Sequence, residues 1–281
     1  MVEYKEKSLN SKTKLFIFES KTIKNIFFKI SNILIAIIIP ILFLLLWQHF
    51  GNTGVIKQSI LPKPTRIWSS FIDLIITGNL WKNVSITLIR VIEGYLFGAV
   101  LGIVIGIAMG LFKILDRLLC VFTGLIRPIP MIAWIPVLIL WLGMDETSKI
   151  TVIALGTFWP VWLNVLSGIK NTDIKYIEIG KVFKKSKFMV LIDIILPAAM
   201  PSIFNGLRVG IGIAWSSVIT AELISGTVGL GFMIQYAREL IQPDIMLSGV
   251  FIIGIIGFLF DVLLKTSERW LLRWNTSLGS K

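Results

Sequence analysis

Long apolar runs separated by charged segments constrain this chain more than any other feature of its sequence. The 281 residues are 55% hydrophobic and have a mean hydropathy of +0.84, which is far more apolar than a soluble domain. The runs reach about 18 residues or more, the length at which a helix crosses roughly 30 Å of hydrocarbon. The alternating segments of ~10 residues that are typical of a β-barrel do not occur in the sequence. We therefore predict an all-α integral membrane protein.

The runs predict about six transmembrane helices. We place them at about residues 33–50, 84–112, 118–142, 150–169, 202–223 and 245–264. This divides the chain into a tail (1–32), a first span with its following loop (33–83), a transmembrane core (84–266) and a second tail (267–281). The loops 51–81 and 224–244 are each expected to hold a short helix at the membrane surface.

The distribution of Lys and Arg predicts the orientation of the chain. If the N-terminus is cytoplasmic, 19 of the 28 Lys and Arg residues lie inside and six lie outside. Inside segments are richer in these residues in membrane proteins generally. Both termini are therefore expected in the cytoplasm, with the first apolar run kept as an anchor. The net charge of +12 is then explained by the Lys and Arg residues that fix the orientation of the chain in the membrane. No nucleic-acid partner is expected.

The segment Asn171–Pro197, called the insert below, is the most highly charged connection between spans. It holds five lysines and three acidic residues, which is too much charge for hydrocarbon. The insert is long enough to form a helix of its own at the cytoplasmic surface, where a partner protein could act on the membrane helices.

The sequence offers no catalytic or metal-binding constellation. One histidine and one cysteine leave neither a Cys/His metal site nor a Ser/His/Asp grouping. No phosphate-binding loop of the G-x-x-x-x-G-K-[ST] type is present in the sequence. An enzyme is not expected, and any ATP would be bound elsewhere than on this chain.

Five glycines recur at every fourth residue of the second span, at Gly94, Gly98, Gly102, Gly106 and Gly110. In lipid, helices associate by close approach of their backbones, which glycine permits. The stripe favours tight packing within the bundle and leaves open a moving or subunit-facing seam.

Ionisable residues within spans are costly and often functional. Arg90 and Glu93 are three residues apart on one helix face, which predicts an ion pair or a role at the outer mouth. Arg208 in the fifth span either extends toward the cytoplasmic surface or attracts an anionic solute.

Prolines interrupt the third span at Pro128, Pro130 and Pro136. Each proline removes a backbone donor, which a membrane tolerates where protein or a cavity satisfies the freed carbonyl groups. Broken helices often line transport pathways, although a simple packing kink would have the same sequence. We take the three prolines, together with Arg208 and Trp215, as candidates for the wall of a translocation path.

The end of the insert carries a resemblance to a known family. Glu178-Ile179-Gly180, followed by Ile194-Ile195-Leu196-Pro197, resembles the E-A-A…G…I-x-L-P signature of permease subunits of bacterial ABC importers. Further stretches, in the same order, resemble the branch for nitrate, sulfonates, taurine and related solutes. They are Leu140-Trp141-Leu142-Gly143, Glu146-Thr147-Ser148-Lys149, Ala214-Trp215, Ala221-Glu222, Gly229-Leu230-Gly231 and the Asp261…Glu268-Arg269 ending.

The resemblance implies a multi-pass permease of the bacterial inner membrane with the type I importer fold. It implies two ATP-binding cassette subunits that bind ATP-Mg, an external solute-binding protein and a homodimer or paired permease surrounded by lipid. The insert would form the coupling helix that docks on the ATPase. The coupling residues would be Glu178, Ile179, Gly180, Lys181, Lys184, Leu196 and Pro197.

This sequence departs from the signature at three positions. Ile179 and Gly180 replace its two alanines, and Lys184 stands where the signature has glycine. Because glycine tolerates backbone angles that lysine resists, we expect an altered turn after the coupling helix. The alternative to a coupling role for Glu178 is that it is an ordinary solvated surface charge.

Other functions remain open at the level of sequence. One is a secondary transporter or channel driven by an ion gradient, and another is a membrane scaffold that carries no solute. The solute itself is also open, because importers for sulfonate, nitrate, taurine, thiamine precursors and riboflavin share this permease plan.

Overall fold

The computed structural model of the chain describes residues 35 and 37–271, apart from the side chains of Lys181, Lys187 and Arg269. The predicted tail 1–32, the start of the first predicted span and residues 272–281 lie outside the described residues. The chain divides into two compact units, Met1–Ile67 and Trp68–Lys281. Within the described residues, all regular secondary structure is helical.

The helices follow one another with short connections. They are α1 (Ile37–Asn52), α2 (Pro64–Ile76), α3 (Asn79–Leu111), α4 (Lys113–Ile126), α5 (Met131–Leu142), α6 (Glu146–Lys170), α7 (Ile174–Val182), α8 (Lys187–Val190), α9 (Leu196–Ser225), α10 (Leu230–Glu239) and α11 (Pro243–Leu271), with a π-helical segment (Leu191–Ile195) between α8 and α9.

Four helical stretches are long and apolar enough to cross a membrane. They are α3, α6, the stretch Phe188–Ser225 that contains α9, and most of α11. A fifth crossing is possible if α4 and α5, which are bent by 98°, form one broken span. The first of the six predicted spans corresponds to α1, whose beginning lies outside the described residues. The short helices predicted in the two loops are α2 and α10.

In the first unit, Gln48 of α1 holds the beginning of α2. Its Oε1 accepts a hydrogen bond from the backbone N–H of Thr65 at 3.2 Å, and its Nε2 donates to the Thr65 hydroxyl at 3.3 Å. The connection between the helices is also compact, because a Cβ added at Gly51 would lie 2.9 Å from the Cβ of Lys63.

The second unit is built around a seam between α3 and α6. Each glycine of the stripe contacts one residue of α6, and both the glycines and their contact residues follow one another at intervals of four. The partners of Gly94, Gly98, Gly102, Gly106 and Gly110 are Ile153, Thr157, Val161, Val165 and Ile169. The two helices therefore run parallel, and the prediction that the stripe packs tightly inside the bundle is confirmed.

Helix α9 packs antiparallel to α6. A Cβ at Gly156 would lie 2.6 Å from the Ser217 hydroxyl, and one at Gly168 would lie 2.8 Å from the Cβ of Ser202. The bundle thus has two ends. We call the end where α3 and α6 begin and α9 finishes the glutamate end. The opposite end, which carries α7 and α8, is the insert end.

The parallel course of α3 and α6 explains the bent pair α4–α5. Because α3 finishes at the insert end and α6 begins at the glutamate end, α4 and α5 together carry the chain back. Leu119 of α4 packs with Met109 and Trp162, whereas Ile135 and Leu138 of α5 pack with Val152 and Ala221 near the glutamate end. The predicted break in the third span is therefore a 98° bend between two helices.

Candidate functional site

Helix α7 gives the insert the short helix that the sequence predicts. Asp173 precedes its first turn and accepts a hydrogen bond from the backbone N–H of Lys175 at 2.9 Å, so it satisfies one of the free donors of the helix start. The Thr172 hydroxyl donates to the carbonyl of Gly168 at the end of α6. These two side chains separate α6 from α7 by a turn of only a few residues.

The turn after α7 contains a residue in the left-handed backbone conformation. Lys184 has a φ of 52°, and the Lys185 N–H donates to the Gly180 carbonyl at 3.1 Å. This six-to-one hydrogen bond defines a Schellman motif, whose left-handed position usually holds glycine. Lys184, at the signature's glycine position, therefore adopts a conformation that glycine would adopt without strain.

Gly180 allows α7 to fold back on the segment that follows it. A Cβ at this position would lie 2.7 Å from Cδ1 of Ile194 and 3.1 Å from Cγ2 of Val190. Val190 and Ile195 belong in turn to a buried cluster with Val165 of α6 and Ala199 of α9. The insert is thus joined to the bundle by apolar packing.

The opposite face of the insert is exposed and apolar. Ile174, Tyr176, Ile179, Val182 and Phe183 are between 51% and 79% exposed, and Glu178 is also exposed among them. The Lys185–Asp193 ion pair, 2.6 Å long, lies nearby on the surface. Large apolar side chains exposed together on one short helix and its exit are typical of a site of protein interaction.

A π-helical segment connects the insert to α9. The Leu196 N–H donates to the Leu191 carbonyl five residues back. Pro197 follows and has no N–H to continue the ladder, so the wider turn lies where a proline interrupts helical hydrogen bonding. The signature's Leu196 and Pro197 therefore lie at the start of the spanning helix rather than on the exposed face of the insert.

Two of the candidates for the path wall are bound within the protein. Nε and Nη2 of Arg208 both donate to Oδ1 of Asp261, at 2.9 and 2.7 Å, and Nη1 lies 3.9 Å from Glu268. Trp215 is buried, donates from Nε1 to the Ile253 carbonyl and packs on Phe260. Both side chains thus connect α9 to α11.

The three prolines of the broken span remain exposed. Pro128 and Pro130 lie in the turn between α4 and α5, and Pro136 lies inside α5. Arg127, the last residue before the turn, is exposed as well. The candidates for a path wall that the structure leaves accessible are therefore these three prolines, two at the bend and one inside α5.

An ion-pair network occupies the glutamate end; the side chains of Arg90, Lys149 and Glu222 in it are buried, whereas that of Glu146 is 57% exposed. Nε and Nη2 of Arg90 donate to the two carboxylate oxygens of Glu146, both at 2.6 Å, and Nη1 donates to Glu222 at 2.7 Å. Lys149 adds a contact of 3.2 Å to Glu146. The predicted pairing of Arg90 with Glu93 is wrong, because Glu93 is exposed and Arg90 instead reaches carboxylates on α6 and α9.

Glu222 is enclosed by the loop that follows α9. Its side chain has no exposed surface, and it accepts hydrogen bonds from the Thr87 hydroxyl and from the Gly231 N–H. A Cβ at Gly229, where φ is 126°, would lie 2.3 Å from the carboxylate. The Gly229-Leu230-Gly231 motif thus allows the backbone to close around a buried charge.

Sequence reasoning missed the network that Glu146, Lys149 and Glu222 form with Arg90. A signal was present, since acidic residues at the ends of two apolar spans need partners and Arg90 is a cation in a third. Among the described residues, no group of three or more His, Cys, Asp or Glu could hold a metal ion.

Comparison with known proteins identifies a family match and close relatives. Residues 98–273 match the family described as "Binding-protein-dependent transport system inner membrane component". The chain is 37% identical to the putative aliphatic sulfonates transport permease protein SsuC of Bacillus subtilis (strain 168), over 86% of this chain and 88% of that protein. It is 36% identical to the taurine transport system permease protein TauC of Escherichia coli (strain K12), over 83% and 86%.

A third relative carries a different solute in its name. The bicarbonate transport system permease protein CmpB of Synechocystis sp. (strain ATCC 27184 / PCC 6803 / Kazusa) is 34% identical over 78% of this chain and 81% of that protein.

Solved structures show the same fold at low sequence identity. An amino acid ABC transporter with histidines matches with a TM-score of 0.60 and 18% identity, over 71% of this chain and 97% of that one. The inward-facing MetNI methionine ABC transporter matches with a TM-score of 0.58 and 17% identity, over 69% and 94%.

Proposed function

The chain belongs to the family of binding-protein-dependent transport system inner membrane components, and from this premise we propose how it is coupled to its energy source. It is the permease subunit of an ABC importer, as its relatives are. This assignment favours transport driven by a separate ATPase over transport driven by an ion gradient. We propose that the insert is the docking site for a separate ATPase subunit.

The exposed apolar face of the insert is the observation that supports docking. Its five apolar side chains are more than half exposed, and the charged residues between the spans exclude the insert from hydrocarbon. A groove on a partner would remove this surface from water, and Glu178 would add a charge-assisted hydrogen bond to it. Ile179 and Glu178 would contact the partner, whereas Gly180 braces α7 from behind.

The packing behind α7 supports transmission of movement to the spans. A displacement of α7 presses on Ile194 and Val190 through Gly180, and these residues lead directly into α9. Closure of the ATPase subunits would therefore tilt α9 and the helices packed on it. Coupling of this kind is reciprocal, so solute delivery at the other end biases the ATPase in return.

The remaining partners follow from the family. Two ATP-binding cassette subunits would hold ATP-Mg, an external solute-binding protein would deliver the solute, and two copies of this chain would form the path. The insert end would face the cytoplasm and the glutamate end the exterior, in keeping with the 19 to six distribution of Lys and Arg.

We further propose that the solute is a small molecule with an oxyanion group. The relatives are named for aliphatic sulfonates, taurine and bicarbonate. These solutes differ in size, but each carries an oxyanion, which is a sulfonate group in two of them and a carbonate group in the third. The oxyanion is therefore the chemical group that a permease of this family would recognise.

The docking proposal is tested by solute-stimulated ATP hydrolysis. The permease and its ATPase are reconstituted in vesicles, and stimulation by the loaded binding protein is measured for Glu178→Gln and Gly180→Leu. We expect stimulation to fall about tenfold or more for Glu178→Gln, since a charge-assisted hydrogen bond is worth roughly 1.5–3 kcal/mol. Gly180→Leu should lose it as well, because the new side chain displaces α7.

A matched control removes a charge from the glutamate end. Glu239 of α10 is exposed, and among the described residues its side chain bonds only with Gln235 on its own helix, so Glu239→Gln should keep full stimulation. Equal stimulation in all three variants, with normal membrane insertion, would overturn docking by the insert.

A further inference from the structure

We propose that Arg127 binds the oxyanion group of the solute as it passes the bend between α4 and α5. The inference rests on the proposed solute class and assigns a residue to it. Three arginines lie in or beside the spans: Arg90, Arg127 and Arg208.

Two of these arginines are neutralised within the chain. Arg90 is enclosed by Glu146 and Glu222, and Arg208 pairs with Asp261. Arg127 has no ion pair and no side-chain hydrogen bond to any residue of the described part of the chain, and it is exposed. Its charge is therefore available to a group that the chain itself does not supply.

The position of Arg127 places this charge between the two ends of the bundle. Helix α4 leads up to it from the insert end, and α5 continues from the bend toward the glutamate end. Pro128 and Pro130 remove two backbone donors beside it. Irregular backbone at membrane depth is tolerated where it lines a water-filled cavity, and an unpaired arginine needs the same surroundings.

The guanidinium group suits the proposed solutes. It is planar, permanently charged and offers donors in a fixed fork that matches two oxygens of a sulfonate or carbonate group. A single exposed guanidinium would hold such a group weakly. Weak, reversible contact is what passage through a path requires.

The transport test uses the assembled transporter with its ATPase and binding protein in vesicles. Uptake of labelled ethanesulfonate, taurine and bicarbonate is measured with saturating loaded binding protein, so that the affinity of the binding protein does not enter. We expect Arg127→Gln to lower the maximal uptake rate about tenfold or more, and Arg127→Lys, which keeps the charge but not the fork of donors, to lower it less. The control is Arg117→Gln, which removes an exposed arginine near the start of α4 and should carry solute normally.

A labelling test reports the surroundings of residue 127 without any solute. In a Cys120→Ser background, Arg127→Cys is treated with a membrane-impermeant thiol reagent in the nucleotide-free and the ATP-trapped transporter. Residue 127 should react in at least one state if it faces the path. Absence of reaction in both states would overturn its place in the path.

The outcomes separate this inference from the solute class. If the wild type carries none of the three probes, the proposed solute class fails, while labelling still decides where residue 127 faces. If the wild type carries them and Arg127→Gln does so equally well, the arginine contact is overturned. An equal loss in Arg127→Gln and Arg127→Lys, with loss of the bound ATPase, would show a structural role and would also overturn it.

Discussion

Lys184 shows how a single residue can hold a turn that its side chain does not favour. Its left-handed backbone closes the Schellman motif at the end of α7, and a non-glycine residue in this conformation costs roughly 1–2 kcal/mol. From the sequence alone, Lys184 is a departure from the signature glycine. The structure shows that this departure places a lysine in a strained backbone conformation.

Replacing Lys184 with glycine should therefore stabilise the insert. We expect a gain of about 1 kcal/mol, because the relieved strain exceeds the greater entropy that glycine has in the unfolded chain. Amide hydrogen exchange should slow about fivefold for the last turn of α7. The control is Lys185→Gly, at a neighbouring residue without a positive φ, which should exchange faster. Equal protection in both variants would contradict the strain at residue 184.

Individual residues also mark the limit of prediction from this sequence. The order of apolar runs, the glycine stripe and the proline break are local patterns, and the structure has helices, a seam and a bend at those places. The partners of Arg90 are 56 and 132 residues away, so no local spacing indicates them. Glu93 was the nearest acidic residue, but it lies on the exposed side of α3.

Among the helices, the pair α3–α6 is the clearest case of a contact that depends on glycine. A Cβ at Gly98 would lie 2.3 Å from the Ala154 carbonyl oxygen and 2.8 Å from the Cβ of Thr157. Neither neighbour can turn away, since one is backbone and the other is a branched side chain in the seam. The helices must separate to admit a methyl group.

Gly98→Ala should accordingly destabilise the protein. We expect a loss of about 1–3 kcal/mol, the range for overpacking a close contact, seen as a lower midpoint of thermal unfolding in detergent. Gly212→Ala on α9 is the matched control, because nothing lies within 4 Å of its added Cβ, and it should be neutral or stabilising. A Gly98→Ala protein as stable as this control would contradict the close packing of the seam.

At the scale of the whole molecule, orientation is the property on which every functional assignment depends. The charge count predicts that the insert end is cytoplasmic, and an ATPase could reach α7 only there. The contacts of the described residues show which groups share an end of the bundle.

Cysteine accessibility in intact cells tests the orientation. In the Cys120→Ser background, Lys175→Cys marks the insert and Glu239→Cys marks the glutamate end, and both residues are exposed. An impermeant thiol reagent should label residue 239 in intact cells and residue 175 only after lysis. The reverse pattern would place the insert outside and would exclude docking of a cytoplasmic ATPase.

The spacing of the α3–α6 seam limits how these two helices can move. Its contacts repeat every four residues, which corresponds to about 6 Å along a helix, so the side chains of α6 interdigitate with the glycine positions of α3. A slide of less than this repeat would press side chains into the facing backbone. The two helices should therefore move as one rod, which leaves the 98° elbow between α4 and α5 as the joint about which the path can change shape.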